Sequence, residues 1–226
     1  MNTCDVVIAG GGPAGAACAW KLRQAGLDVV VIDKATFPRD KVCAGWITPQ
    51  VIEDLGIDPD DYRHVRGTYD AFVSVGMLEH VGAPDYPTLG RAIDRSLSDR
   101  GRGLLHFIGR NQPAPINPWI RKRIFPGAYA PTLREVFGQV LEPHAFSVLD
   151  VENIRLHYAK TLEHWGQRFN EASGEVATMF DESFVRAWRL YLAGSQASFT
   201  TGSLQLFQVV FTRASNNALP WTRVSC

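Results

Sequence analysis

The chain has 226 residues, 46% of them apolar and 20% charged, and its 23 basic and 23 acidic residues cancel. This length and composition fit one sizeable globular core, and a net charge of zero argues against a nucleic-acid binder held by bulk electrostatics. Cys4, Cys18, Cys43 and Cys226 show neither metal-ligand spacing nor a secreted disulfide pattern, no stretch reads as a membrane span, and the start lacks the basic flank of a signal peptide. The expected setting is therefore a reducing cytoplasm.

Asp5 to Ala9 (DVVIA) reads as a short buried strand. GGGPAG follows, then a helical AACAWKLRQAG and a second strand, Asp28 to Ile32, that ends at Asp33. Gly10, Gly12 and Gly15 form a GxGxxG pattern. The first glycine permits the tight turn, the second lets a pyrophosphate approach the backbone, and the third allows close helix–strand packing. The helix N-terminus turns its free amides toward the phosphate. Asp33 stands where an acid holds ribose hydroxyls, about twenty residues on. A glycine-rich turn without a ligand is the alternative.

The stretch from Ser74 to Arg110 has the pattern strand, helix, strand. An apolar run from Ala71 to Val75 ends in Gly-Met-Leu-Glu-His. Asp85–Tyr86–Pro87 introduces a helix expected through Ser98, with Leu89, Ile93 and Leu97 at four-residue spacing. A second strand is expected from Gly103 to Phe107. Such a unit is a parallel crossover, and open parallel sheets bind ligands at the carboxyl ends of their strands. Glu79 and His106 fall near those ends.

Further on, NPWIRKRIFPGAYAP is a proline-punctuated loop with three consecutive cations, Arg121, Lys122 and Arg123. They suit either anionic headgroups or a solvated face. Thr132 to Glu135 matches a capping box. Phe146 to Val151 reads as a strand and Leu204 to Phe211 as a closing strand. Two helical stripes, Tyr158–Leu162–Trp165–Phe169 and Phe180–Phe184–Trp188–Tyr191, read as core.

From about Tyr62 to Arg223 the chain resembles the C-terminal two-thirds of the cyclopropane-fatty-acyl-phospholipid synthase family. The motifs are GMLEHVG, LLHFIGR, NPWIRKRIFPGAYAP, DVENIRLHYAKTLEHW and LQLFQVVFTR. From about Asp5 to Tyr62 it resembles the geranylgeranyl-reductase-like branch of FAD-dependent oxidoreductases, through GGGPAG and ATFPRDKVCAGWITPQVIEDLGIDPDDY. These resemblances imply an α/β fold: a doubly wound, mostly parallel Rossmann-like sheet, chimeric, with a dinucleotide-binding fragment over 1–61 and a methyltransferase-like portion over 62–226. The flavoprotein crossover would stand in place of the methyltransferase family's own first two strands.

The first resemblance implies methyl transfer from S-adenosylmethionine to an unsaturated phospholipid acyl chain. The alkene attacks the sulfonium methyl, and a bound bicarbonate removes a proton as the ring closes. It assigns the anion site to Glu79, His106, the amide of Ile108 and Tyr158, and places Asp61 and Tyr62 near the adenine. It also implies a peripheral membrane surface as the place of work. The second resemblance implies FAD, with Arg39 near the cofactor beside Gly10, Gly12, Gly15 and Asp33. Taken singly, Glu79 also suits a turn cap, His106 a core histidine, Tyr158 a packing ring and Arg39 a solvated cation. An FAD-dependent oxidoreductase fragment and an inactive fusion product are the alternative functions.

Overall fold

Residues 4–9, 13–32 and 61–219 are described by the structure, a computed structural model. Gly10, Gly12, Asp33, Arg39 and Cys43 lie outside them. Strands β1 (Val6–Ala9), β2 (Val29–Ile32), β3 (Tyr69–Val75), β4 (Leu97–Gly109), β5 (Phe146–Asn153) and β6 (Gln205–Arg213) form one sheet in the order β2–β1–β3–β4–β6–β5. The pairs up to β4 are parallel, whereas β6 is antiparallel to both β4 and β5. This is the doubly wound, mostly parallel α/β architecture read from the sequence. The two segments of different resemblance share the sheet. Val7, Ile8 and Ala9 of β1 pair with Phe72, Val73 and Ser74 of β3.

The helices are α1 (Pro13–Gln24), α2 (Leu78–Val81), α3 (Tyr86–Ser96), α4 (Pro118–Arg123), α5 (Leu133–Val136), α6 (Arg155–Glu171), α7 (Ser173–Met179) and α8 (Glu182–Thr201). Strand alternation sorts the core into two layers. Phe72, Leu105, Phe107, Val209 and Phe211 bury one sheet face against Leu78, Leu89, Ile93 and Val140. On the other face α1 covers Val6, Ile8 and Val31 through Ala19, and the α6–α8 pair covers Ile108 and Leu206 through Leu162, Leu192 and Phe199. Each fully buried side chain of this size contributes about 1.5–3 kcal/mol. None of the described helices is long and apolar enough to cross a membrane.

The structure departs from the sequence expectations in three places. Helix α3 stops at Ser96, and Leu97 already pairs with Tyr69 as the first residue of a 13-residue strand. The cause is distant in sequence: the Arg213 guanidinium donates to the carbonyls of Asp94 and Leu97 and pairs with the Asp94 carboxylate at 2.8 Å. A cation thus satisfies the helix C-terminus. Secondly, the loop carrying Arg121, Lys122 and Arg123 contains α4, capped by Asn117 Oδ1 accepting from the Trp119 amide. Thirdly, the Phe180 stripe is core only in part: Trp188 and Tyr191 pack against the Leu162–Leu192–Phe199 cluster. Phe180 is 60% exposed and stacks on Phe184, which lies parallel to Trp188, while Trp188 meets Tyr191 and Tyr191 meets Phe125. These rings bury each other along the side of α8. In the first stripe Leu162 is core, whereas Trp165 is 43% exposed. The capping box forms as expected: Thr132 and Glu135 satisfy each other's backbone amides.

Candidate functional site

At the carboxyl ends of β3 and β4 the chain builds a close polar cluster. β3 leaves the sheet through Gly76, whose φ of +65° favours glycine. Its amide donates to the His106 carbonyl at 2.8 Å, tying the end of β3 to β4. Helix α2 follows at once and has only four residues, too short to hold itself. Neighbours hold it instead. The Tyr129 amide donates to the Glu79 carbonyl at 2.8 Å, and the Tyr86 hydroxyl donates to the Leu78 carbonyl at 3.2 Å. Burial, followed by the nearby carboxylates of Glu79 and Glu135, pushes the Tyr86 hydroxyl well above the ordinary tyrosine pKa, so it stays a donor.

Clamped in this way, Glu79 is 9% exposed and aims at the next strand. Its Oε1 accepts the Ile108 backbone amide at 2.6 Å. The family resemblance implies that amide for a bound anion; here it donates to Glu79, a hydrogen bond across the strand ends. His106 and Ile108 lie two residues apart on β4 and share the sheet face covered by α6 and α8. Burial lowers the His106 pKa, which leaves the imidazole neutral near pH 7. Its Nδ1 lies 3.2 Å from Gln208 Nε2 on β6. Tyr158 enters from α6. Its ring meets Phe199 edge-on at 4.8 Å and Trp165 at 6.1 Å, in the apolar cluster that includes Ile108.

The structure therefore joins Glu79 to Ile108 by a hydrogen bond, places His106 on the same strand and face as Ile108, and packs Tyr158 into Ile108's cluster. A second layer supports α2. Tyr129 donates its hydroxyl to Glu135 at 2.7 Å, and burial, then this carboxylate, push its pKa up to about 12. Two residues that sequence reasoning missed are Gln208, inside LQLFQVVFTR, and Tyr129, inside NPWIRKRIFPGAYAP. Strand alternation puts Gln208 on the face of Leu206; nothing local marks Tyr129.

Of the assigned cofactor residues, Gly15, Asp61 and Tyr62 are among the described ones. Gly15 is buried within α1. Asp61 caps a single turn over Tyr62–His64. Burial pulls its carboxyl upward, but the Arg63 guanidinium and amide outweigh that and hold it below the ordinary value. Tyr62 is 3% exposed and belongs to the same core cluster as Ala9 and Ile32. Ala9 and Ile32, the last residues before Gly10 and Asp33, are register partners on neighbouring parallel strands. Beside Ala9, the Ser74 hydroxyl is fully buried and has no hydrogen-bond partner among the described residues. A buried, unpaired hydroxyl at this sheet end fits a polar cofactor group.

A parallel sheet interrupted by one antiparallel strand, β6, with helices on both faces and a polar cluster at the strand ends, defines a doubly wound α/β protein. The mycolic acid cyclopropane synthetase family profile matches residues 48–209, and the chain belongs to that family. An NAD(P)-binding Rossmann-like domain profile matches residues 8–70. The chain is 40% identical over 167 residues to a cyclopropane-fatty-acyl-phospholipid synthase of Escherichia coli K12, covering 74% of this chain and 43% of that one. It is 42% identical over 115 residues to a menaquinone reductase of Mycobacterium tuberculosis, covering 48% and 28% respectively. The chain thus spans less than half the length of these curated relatives. Its fold resembles that of the mycolic acid cyclopropane synthase CmaA1 complexed with SAH and CTAB, with a TM-score of 0.73 at 20% identity, over 94% of this chain and 79% of that one.

Proposed function

We propose that the chain methylates unsaturated fatty acyl chains of phospholipids, as a cyclopropane synthase does, working at a peripheral membrane surface. The observation that carries this is the 2.6 Å bond from the Ile108 amide to the buried Glu79 carboxylate, with neutral His106 on the same face. When bound, S-adenosylmethionine supplies an electrophilic methyl group and bicarbonate supplies a base. The chain's residues do the holding. Glu79 accepts the hydroxyl proton of a small anion, while the neutral imidazole of His106 and the hydroxyl of Tyr158 donate to it. The rings of Tyr158 and Phe199 and the side chain of Ile108 keep water from the cationic centre. The test is transfer of a labelled methyl group from S-adenosylmethionine to vesicles of unsaturated phospholipid, with saturated vesicles as the control. Label in the unsaturated lipid alone supports the proposal; label in neither or equally in both overturns it.

A second reading concerns residues 1–61, taken as a unit that joins the methyltransferase portion near Asp61. The NAD(P)-binding profile and the menaquinone reductase relative favour a dinucleotide site of the geranylgeranyl-reductase-like kind on β1–α1–β2, suited to FAD. A GxGxxG turn suits a pyrophosphate better than a sulfonium. ADP should accordingly bind more tightly than S-adenosylmethionine. A titration giving the methyl donor equal or higher affinity rejects this second reading.

A further inference from the structure

His106 and Gln208 are direct register partners across the antiparallel β4–β6 ladder, so their side chains leave the same sheet face side by side. Gln208 Nε2 lies 3.2 Å from His106 Nδ1. With the Gln208 amide nitrogen facing Nδ1, that nitrogen donates, Nδ1 accepts, and a neutral ring then carries its proton on Nε2. Burial favours that neutral ring. Gln208 is itself part-buried in this contact, which limits competition from solvent.

We propose that Gln208 is a positioning residue: its donation to Nδ1 holds His106 as the Nε2–H tautomer, the form able to donate a hydrogen bond to an anion at the strand ends. The opposite tautomer presents a lone pair from Nε2 and repels an anion. A mixture of tautomers lowers the apparent affinity to the fraction of rings in the competent form. The consequence for anion binding rests on the function proposed above; the tautomer assignment rests on the β4–β6 register and the orientation of the Gln208 amide toward Nδ1.

The experiment is nitrogen-15 NMR of the histidine-labelled full chain, without added anion, for wild type, Gln208→Met and Gln208→Glu. Each ring nitrogen reports directly whether it carries the proton. Wild type should show the proton on Nε2. Gln208→Met should give a mixture, and Gln208→Glu, whose carboxylate accepts from Nδ1, should move the proton there. Bicarbonate titration of the same samples should show affinity weakened about twofold to threefold in Gln208→Met, following its remaining Nε2–H fraction, and about tenfold in Gln208→Glu, the size of one lost hydrogen bond to a charged group. A wild-type proton on Nδ1, or a tautomer unchanged in both variants, overturns the inference. If the tautomers behave as stated but wild type binds no bicarbonate, Gln208's positioning role stands and the anion site falls.

Discussion

The β1–α1–β2 crossover and the β3–β4–β6 half of the sheet are built differently. The crossover is held by its parallel ladder and by a small cluster of Val, Ile and Ala side chains. Its described polar side-chain bonds include the surface contacts of Asp5 with the Asp28 amide and Arg23 with Asp28. The other half is bound by long-range, residue-specific contacts: Glu79 to Ile108, Arg213 to the end of α3, Thr212 Oγ1 to the Gly101 carbonyl, and His106 to Gln208. A crossover of short apolar strands is generic, so a dinucleotide-type unit serves wherever β3 offers an edge. A site made from several specific contacts has no interchangeable parts.

That contrast can be tested by substitution on each side. Glu79→Ala should have the largest effect, lowering methyl transfer about 100-fold or more, the scale of a lost acid–base partner. It also strips the Ile108 amide of its acceptor, at a cost of about 1–3 kcal/mol in urea unfolding. Gly103→Ala should come next. A Cβ there would lie 2.0 Å from Phe211 Cζ in a packed core. Overpacking of this kind costs about 3 kcal/mol, readable as a lower denaturation midpoint. Arg213→Met should cost about 2 kcal/mol by releasing the carbonyls at the end of α3.

The fourth expectation is pH dependence. Because burial depresses the folded-state pKa of His106, its contribution to stability is fully present above the ordinary imidazole value of about 6.5. The contribution declines as pH falls through that value toward the folded-state pKa, since the unfolded chain takes up the proton first. The decline should shrink in His106→Gln when melts are compared across this range. The smallest effect belongs to the crossover. Asp5→Ala removes an exposed contact and should change unfolding by no more than about 0.5 kcal/mol. A larger loss there would erase the contrast between the two halves.

These differences also explain what the sequence revealed. The strand–helix–strand unit was legible because Leu89 and Ile93 repeat on one face and both are fully buried. The capping box was legible because it is local, four residues closing on themselves. The true end of α3 was not, since it depends on Arg213, more than a hundred residues away. Glu79 stood out by position, yet its grip on Ile108 depends on Tyr86 and Tyr129 clamping a four-residue helix, which no spacing rule announces. Gln208 looked like one polar residue in a closing strand; only the β4–β6 register puts it against His106. The aromatic stripe that runs onto α8 misled only at its Phe180 end, because rings that stack on each other repeat with the same spacing as the core-packed Trp188 and Tyr191.

The central claim, that Glu79, His106 and Tyr158 hold an anion acting as base for lipid methylation, meets its most direct test in the rate of methyl transfer to unsaturated phospholipid as bicarbonate is added to a carbonate-free buffer. The rate should rise with bicarbonate and saturate in the wild-type chain and stay flat and low in Glu79→Gln. A wild-type rate that is the same at every bicarbonate concentration would contradict it.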